Sequence, residues 1–313
     1  MTYYHLTHHD LDGFGCSVVA QNLNPQAGYR LQVVGYAGSK LPVDDAVDAI
    51  IDVLDKDVKP SLLITDIAPS EAVCARLEKH RDRFHELLVL DHHKTTQDLP
   101  KHFPWVQHAT SSCGTMLTLT HFMHANRVPQ SRTLEELCSF SYAVDAYDRW
   151  QLGSPHRRRG EGLNMLTKFM GDQEFVKRFA ERPDYDFSEI GRAILGFLQA
   201  QRDRLIDSVL LSTNSSKFRY DPVGHRFTFL LLSEYGNEIA DKLLNLYPEL
   251  DYVAFGAPFG GGMSLRAREG GELDVSAIAQ RHDPKGGGHA AAAGFPFDFL
   301  RAIREAAIDK LSK

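Results

Sequence analysis

Residues 3–13 have the sequence Tyr-Tyr-His-Leu-Thr-His-His-Asp-Leu-Asp-Gly, and this stretch decides the fold class. Residues 3–7 predict a strand, the polar residues up to Gly13 predict a turn, and residues 14–23 predict a helix. Ligands of open parallel sheets bind beyond the carboxyl ends of the strands. The histidines and aspartates that follow this first strand are therefore candidate ligands.

The same alternation of strand and helix continues through the first half of the chain. Further strands are predicted at residues 31–36, 62–65 and 87–90. Helices are predicted at residues 43–54, 71–83, 114–125 and 133–148. This order predicts a parallel sheet with helices on both faces.

An amphipathic segment near residues 190–209 predicts a long helix, and a Ser/Asn-rich break follows it at 212–216. The last hundred residues again mix strand and helix patterns. We therefore predict an α/β protein with a parallel-sheet domain at 1–188, a connecting helix at 189–212 and a smaller α/β domain at 213–313. A helix that lies wholly inside one domain is the alternative interpretation of the long segment.

Composition limits the classes of function. The 313 residues carry a net charge of −6, with 43% hydrophobic and 24% charged residues, as in a globular protein whose surface does not attract nucleic acid as a whole. The four cysteines form no CxxC pair, so neither a zinc knuckle nor a disulfide framework is indicated. No signal peptide and no apolar run of about 20 residues is visible, which predicts a cytoplasmic protein without a membrane segment.

Acidic residues and histidines also follow two later strands. Asp66 follows the strand at 62–65, and Asp91-His92-His93 follows the strand at 87–90. Strand ends of a parallel sheet meet at one edge, so these residues should converge with the cluster after the first strand. Carboxylates and imidazoles without thiolates suit Mn²⁺, Fe²⁺ or Zn²⁺, and so many carboxylates need cations to neutralise them.

Each of these residues also has an ordinary structural role available. An aspartate after a strand commonly caps the next helix, as Asp66 could, and a single histidine is usually a partly buried hydrogen-bonding residue. Three such clusters at three strand ends favour the metal site instead. Two divalent ions that share one aspartate would activate a water and bind phosphoryl oxygens.

These residues carry a resemblance to the DHH phosphoesterase family. The motif His8-x-Asp10-x-Asp12-Gly13, then Asp66, Asp91-His92-His93 and Asp145, resembles the four ordered motifs of that family. The run Gly286-Gly287-Gly288-His289 resembles the glycine-rich signature of its associated DHHA1 domain. The sequences around Asp12 (residues 7–13) and Asp145 (residues 145–150) are most similar to those of the oligoribonuclease and cyclic-nucleotide phosphodiesterase branch, the NrnB-type nanoRNases.

The resemblance implies a role for each residue. It implies two ions, with Mn²⁺ as the expected metal. The implied ligands are His8 and Asp10 for one ion, Asp12, His92 and Asp145 for the other, and Asp66 for both. Asp91 would orient His92, and His93 would face the scissile phosphate. Asp148 is the alternative in the fourth motif, because it lies one helical turn after Asp145.

The second domain is expected to bind the substrate. A glycine run frees backbone N–H groups to approach a phosphate or base, and His289 adds a donor. The resemblance also implies a substrate contact for Arg266. For the glycine run, the structural alternative is a glycine-rich turn before a buried helix of small residues. For Arg266, the alternative is the end of a strand exposed to solvent. The run Arg157-Arg158-Arg159 is interpreted as a solvated loop.

The function expected from all of this is metal-dependent hydrolysis of short single-stranded oligonucleotides by an activated water. Rival enzyme activities are a cyclic mononucleotide or dinucleotide phosphodiesterase, a phosphatase of 3′-phosphoadenosine 5′-phosphate and a RecJ-like exonuclease. A nucleotide-binding sensor without catalysis is the non-enzymatic alternative. A homodimer is an open option for the assembly.

Overall fold

The computed structural model of the protein describes residues 2–25, 28–36, 39–54, 58–125, 132–183, 189–232, 234–257 and 261–311. The chain divides into two compact units, Met1–Leu195 and Gly196–Lys313. The division falls inside a long helix, α8 (Glu189–Ser212), the segment for which a connecting helix is expected. The domain limits at 188 and 213 stay a prediction.

A five-stranded, fully parallel sheet forms the centre of the first unit. Its strands have the spatial order β2-β1-β3-β4-β5 and are β1 (Tyr3–His8), β2 (Tyr29–Val34), β3 (Ser61–Thr65), β4 (Glu86–Asp91) and β5 (Val106–His108). The order reverses at β1, because β2 lies on one side of it and β3 on the other. A ligand crevice is expected at such a switch point, beyond the carboxyl ends of β1 and β3.

Seven helices accompany this sheet in the described part of the unit: α1 (Leu11–Leu23), α2 (Val43–Asp52), α3 (Glu71–Lys79), α4 (Gly114–His124), α5 (Arg132–Asp148), α6 (Arg157–Met170) and α7 (Asp172–Glu181). Apolar residues of α2 and α3 pack on one face of the sheet, in a core that includes Leu6, Ile64 and Val89. Helix α1 packs against α4, α5 and α7. The predicted α/β class with a parallel sheet is confirmed.

The second unit has a mixed six-stranded sheet of order β10-β11-β9-β8-β7-β6. Its strands are β6 (Arg219–Tyr220), β7 (Arg226–Leu231), β8 (Tyr252–Gly256), β9 (Gly262–Ala267), β10 (Gly287–Gly288) and β11 (Ala292–Pro296). Its helices are α9 (Gly236–Leu246), α10 (Val275–His282) and α11 (Phe299–Leu311). Among these strands only β7 and β8 run parallel. Two apolar clusters, one including α9 and the other including α10, form its core.

The interpretation of the arginine run was wrong. Residues 157–159 begin helix α6, and Arg157 is 6% exposed. Its guanidinium lies 4.0 Å over the Trp150 ring and donates to the backbone carbonyls of Ala146 and Tyr147 at 3.2 and 2.9 Å. These carbonyls lie in the last turn of α5, so Arg157 caps a helix end that has no side-chain cation of its own.

The run of alanines after His289 is a strand and not the helix of small residues considered as the structural alternative. Residues 292–296 pair in antiparallel register with β9, and Ala293 and Phe295 pack on the core of the second unit. Alanine has the highest helix propensity, but propensity is a weak determinant of structure, and tertiary packing overrides it here. No helix in the described ranges has both the length and the apolar character that crossing a membrane requires.

Candidate metal centre

The first ligand-bearing segment is the turn between β1 and α1. His8 is the last residue of β1, and Asp10 is the N-cap of α1, with Oδ1 accepting a hydrogen bond from the Gly13 amide at 3.0 Å. The other oxygen of Asp10 lies 2.7 Å from His8 Nδ1. A side chain at Gly13 would place its Cβ 2.2 Å from the His8 carbonyl oxygen, so the tight turn requires glycine.

Asp12 lies in the first turn of α1 and is 2% exposed. Its two carboxylate oxygens accept hydrogen bonds from the backbone amides of Gly114 and Thr115, at 2.6 and 2.8 Å. These amides belong to the N-terminus of α4, where the helix dipole stabilises a negative charge. Each oxygen keeps a further lone pair, so this anchored carboxylate can still bind a cation.

Asp66 occupies the position between the β1 segment and the β4 segment. It follows β3 directly, is 1% exposed and has a left-handed backbone with a φ of 59°. Oδ1 lies 3.1 Å from His92 Nε2, and Oδ2 lies 3.7 Å from His8 Nδ1. Within the described ranges Oδ2 has no hydrogen-bond partner, although it is fully buried. Buried carboxylate oxygens are rarely left in that state without an ion or a water.

The third segment is Asp91-His92-His93 at the end of β4. His92 Nε2 lies 3.5 Å from Asp12 Oδ2, so this imidazole reaches both Asp12 and Asp66. Asp91 accepts hydrogen bonds from His93 Nδ1 at 2.8 Å and from Thr96 Oγ1 at 2.5 Å. We expected Asp91 to orient His92. Asp91 holds the neighbouring imidazole of His93, and its role in orienting His92 stays a prediction.

The structure favours Asp148 over Asp145 for the fourth segment. Asp145, on α5, accepts a hydrogen bond at Oδ1 from the amide of Cys113, the N-cap of α4, at 2.8 Å, and its Oδ2 accepts from Gln151 Nε2 at 2.7 Å. Asp148 Oδ2 lies 3.8 Å from His92 Nε2, and the Asp148 side chain is 27% exposed. Arg149 Nη1 lies 3.8 Å from Asp145 Oδ2.

Together these segments form two neighbouring groups of metal-binding side chains. In each group, one nitrogen or oxygen atom of every member lies within 4.8 Å of those of the others. The first group is His8, Asp10 and Asp66, and the second is Asp12, His92 and Asp148. Asp66, Asp91 and His93 form a third, overlapping group. The oxygen and imidazole donors suit a hard or borderline divalent cation such as Mn²⁺.

The electrostatics of the cluster indicate unbalanced negative charge. Burial and the charges of Asp12 and Asp10 raise the pKa of Asp66 well above its usual range. Desolvation and the same two carboxylates raise the pKa of Asp148. Such shifts arise when carboxylates crowd together without a cation, and a bound divalent ion reverses them. The crowded carboxylates and the unpartnered Asp66 oxygen therefore fit a cation-binding centre.

Tyr36 belongs to this site and was missed in the sequence analysis. It follows β2 at the same edge of the sheet, and its side chain is 42% exposed. Its ring lies edge-on to His8 and His93, with centroid distances of 5.5 and 5.9 Å. The rule that identified the other residues, position after a parallel strand, also applied to Tyr36. An aromatic residue carried no metal-binding signal, and so it was passed over.

In the second unit, the glycine run has a clear packing role. A Cβ on Gly286 would lie 2.5 Å from the Ala279 carbonyl oxygen, and Gly288 has a φ of 138°. His289 exchanges backbone hydrogen bonds with Ala292 at 2.7 and 3.2 Å, closing the turn between β10 and β11. Arg266 lies in β9, opposite Ala292, and is 8% exposed. The substrate-binding roles of Arg266, residues 286–288 and His289 stay predictions.

The first unit is an α/β domain with a five-stranded parallel sheet and with histidines and aspartates at its switch point. The chain is 26% identical over 307 residues to the oligoribonuclease NrnB of Bacillus subtilis (strain 168), covering 93% of this chain and 72% of that protein. It is also 26% identical to a 3′,5′-cyclic-nucleotide phosphodiesterase of Helicobacter pylori (strain ATCC 700392 / 26695), covering 96% of this chain and 94% of that protein. No family model matches the sequence. These matches support the resemblance to the DHH/DHHA1 phosphoesterase family.

Solved structures have the same fold. The DHH domain of a member of the s1p family of ribosomal proteins matches with a TM-score of 0.62 and 14% identity, covering 100% of this chain and 87% of that one. The exonuclease RecJ bound to manganese matches with a TM-score of 0.58 and 16% identity, covering 95% and 86%. At these identities the likeness establishes the fold.

Proposed function

We propose that the protein is a metal-dependent phosphodiesterase that hydrolyses short oligonucleotides. The observation that carries this proposal is the position of Asp66. Its Oδ2 lies on the side of His8, its Oδ1 lies close to His92, and the buried Oδ2 without a hydrogen-bond partner among the described residues is a suitable ligand for a cation. A carboxylate shared in this way is what a pair of divalent ions needs.

The proposed ligands follow the two groups of side chains. His8, Asp10 and Asp66 would hold one ion, and Asp12, His92, Asp148 and Asp66 would hold the other. When bound, such ions lower the pKa of a water and neutralise charge that develops on phosphorus. Mn²⁺ is the expected metal because it accepts mixed oxygen and imidazole ligands, and RecJ, which has this fold, has been solved with manganese.

His93 is proposed to act on the substrate itself. Its Nδ1 lies 2.8 Å from Asp91 Oδ1, and this hydrogen bond fixes the plane of the ring. His93 would donate a hydrogen bond to a phosphoryl oxygen or a proton to the leaving oxygen. Asp91 is thus a positioning residue for His93.

The choice of substrate rests on the two relatives. One is named an oligoribonuclease and the other a cyclic-nucleotide phosphodiesterase, and each matches more than nine-tenths of this chain. Both names describe cleavage of a phosphodiester in a small nucleotide. We place short oligonucleotides first because the motifs resemble those of the NrnB-type nanoRNases and one of the two relatives is an oligoribonuclease.

A substrate panel with Mn²⁺ tests the proposal. The purified chain is incubated with RNA dinucleotides, pentanucleotides, cyclic dinucleotides, cyclic mononucleotides and 3′-phosphoadenosine 5′-phosphate, and products are separated by chromatography. We expect metal-dependent release of mononucleotides from dinucleotides, and no turnover by Asp66→Ala, because both ions would lose a ligand.

Each result leads to a definite conclusion. Preferential cleavage of a cyclic nucleotide would replace oligonucleotides with the second candidate function. Binding of a nucleotide without turnover of any substrate would make the protein a sensor, and near-native activity of Asp66→Ala would contradict the two-ion centre. The cytoplasm as the place of action and a homodimer as the assembly remain predictions.

A further inference from the structure

A buried chain of polar side chains lies beneath the metal centre. His5 is fully buried in β1, and its two ring nitrogens contact Tyr29 Oη and Thr65 Oγ1, the latter at 2.8 Å. Thr65 Oγ1 lies 2.8 Å from Thr7 Oγ1, and Thr7 Oγ1 donates to the Gly13 carbonyl at 2.8 Å. The chain therefore crosses three neighbouring strands, β2, β1 and β3.

Counting donors determines the direction of these hydrogen bonds. Thr7 has one hydroxyl proton, and when it goes to Gly13 the contact between the two threonines requires the Thr65 proton. Thr65 then accepts from His5 Nε2–H, and His5 Nδ1 accepts from the Tyr29 hydroxyl. The contacts therefore require a proton on His5 Nε2, and a neutral ring then accepts at Nδ1.

Burial supports the neutral state of His5. Desolvation lowers the pKa of its imidazole to about 3, so the ring stays uncharged at any pH where the protein is expected to work. A neutral ring with one donor and one acceptor can fix both neighbours. These hydrogen-bonded side chains therefore hold their neighbours in position and place no charge beneath the metal centre.

The inner members of the chain are sequence neighbours of proposed ligands. Thr7 precedes His8, Thr65 precedes Asp66, and Gly13 follows Asp12. Thr7 and Thr65 are also direct partners in the register of β1 and β3. Asp66 has a left-handed backbone, a conformation that persists in a non-glycine residue only when its surroundings hold it.

We propose that the Tyr29–His5–Thr65–Thr7–Gly13 chain positions the ligands on β1 and β3 and thereby sets the affinity of the centre for divalent cations. This inference rests on the proposed function. Without these side-chain hydrogen bonds, only the backbone pairing of β1 and β3 would set the separation of the segments that carry His8 and Asp66. Groups that orient metal ligands typically contribute about ten- to a hundred-fold in affinity.

Thr65→Val tests this role, because valine keeps the shape and removes only the hydroxyl. Mn²⁺ binding is measured by titration calorimetry on the metal-free full chain, and unfolding temperature is measured on the same samples. We expect about tenfold weaker Mn²⁺ binding, and Thr65→Ser, which restores the hydroxyl, should recover the wild-type affinity.

Thr228→Val is the matched control. Thr228 is also a strand threonine, 1% exposed, and its hydroxyl has no hydrogen-bond partner among the residues that the structure describes. This variant should bind Mn²⁺ like the wild type. Equal affinities for wild type and Thr65→Val would overturn the proposal, as would equal losses in the valine and serine variants, since those would trace to packing.

If Thr65→Val does not fold, Tyr29→Phe replaces it, because that change removes only the outer hydrogen bond. A loss of at least about twofold in Mn²⁺ affinity is then expected, and an unchanged affinity contradicts the proposal. Wild-type protein that binds no Mn²⁺ would instead refute the proposed function. The two failures are therefore distinguishable.

Discussion

Asp145 and Asp148 lie one turn apart on α5 and have different surroundings. Asp145 accepts hydrogen bonds from the Cys113 amide and Gln151, whereas Asp148 lies 3.8 Å from His92. We expect Asp148→Asn to reduce turnover by at least about a hundredfold and to lower Mn²⁺ content, because it removes a proposed ligand charge. Turnover and metal content are measured on both variants.

Asp145→Asn serves as the comparison. The amide can still accept from Cys113, so this variant should keep its metal and lose part of its stability, within about 1–3 kcal/mol. A greater loss of metal in Asp145→Asn than in Asp148→Asn would return the fourth ligand to Asp145.

Tyr36 presents a half-exposed aromatic ring beside His8 and His93. We expect this ring to stack on a nucleobase, an interaction that contributes about 1–3 kcal/mol per base. Tyr36→Ala should therefore raise KM for a dinucleotide roughly five- to a hundred-fold, with unchanged Mn²⁺ content, while Tyr36→Phe should behave like the wild type.

Tyr142→Ala controls for the loss of an exposed tyrosine elsewhere in the same unit, since that side chain is 49% exposed and stacks on His156. An unchanged KM in Tyr36→Ala, or an equal rise in both alanine variants, would remove Tyr36 from substrate recognition.

At the scale of elements, the N-terminus of α4 fits closely against the metal centre. A Cβ on Gly114 would lie 2.9 Å from Asp66 Cβ and 3.1 Å from Asp12 Oδ2. Gly114→Ala should displace these carboxylates and weaken Mn²⁺ binding about tenfold or more, as measured by calorimetry.

Gly162→Ala is the matched control in helix α6, where the nearest atom to the new Cβ would be 4.0 Å away. That variant should bind Mn²⁺ normally and gain about 0.4–1 kcal/mol in stability, because alanine restricts the unfolded chain. Normal Mn²⁺ binding by Gly114→Ala would show that α4 can move away from the centre.

Elements with strong patterns were predicted well from the sequence. The strand predicted at 62–65 is observed at Ser61–Thr65, and the helix predicted at 114–125 is observed at Gly114–His124. Strand β5 was missed because three residues give too short a pattern, and α6 was missed because its arginine run was interpreted as solvated. Burial of Arg157 depends on Trp150 and the end of α5, which no local pattern contains.

At the scale of the whole molecule, the two units are expected to divide the work. Arg266→Ala and His289→Ala should each lower kcat/KM for a dinucleotide roughly ten- to a hundred-fold while metal content stays unchanged, through loss of a charge-assisted contact. Both residues lie in the second unit, whereas all the proposed ligands lie in the first.

The comparison substrate is bis-p-nitrophenyl phosphate, which has no sugar or nucleobase and should be cleaved almost normally by both variants. His225→Ala, a histidine change in the same unit, should leave both activities unchanged. Equal losses on the two substrates would place Arg266 or His289 in the chemical step or in folding.

The sequence by itself determined the class of fold and most of the candidate centre. Hydrophobic periodicity is local, and the residues that follow a parallel strand necessarily lie at its carboxyl edge, so His8, Asp10, Asp12, Asp66 and His92 could be identified without coordinates. Only the tertiary structure showed that Asp148 lies beside His92, Asp91 beside His93 and His5 beside Thr65. These contacts join residues that are distant in sequence or that have several possible partners. Which donor meets which acceptor is decided by how the helices and strands pack.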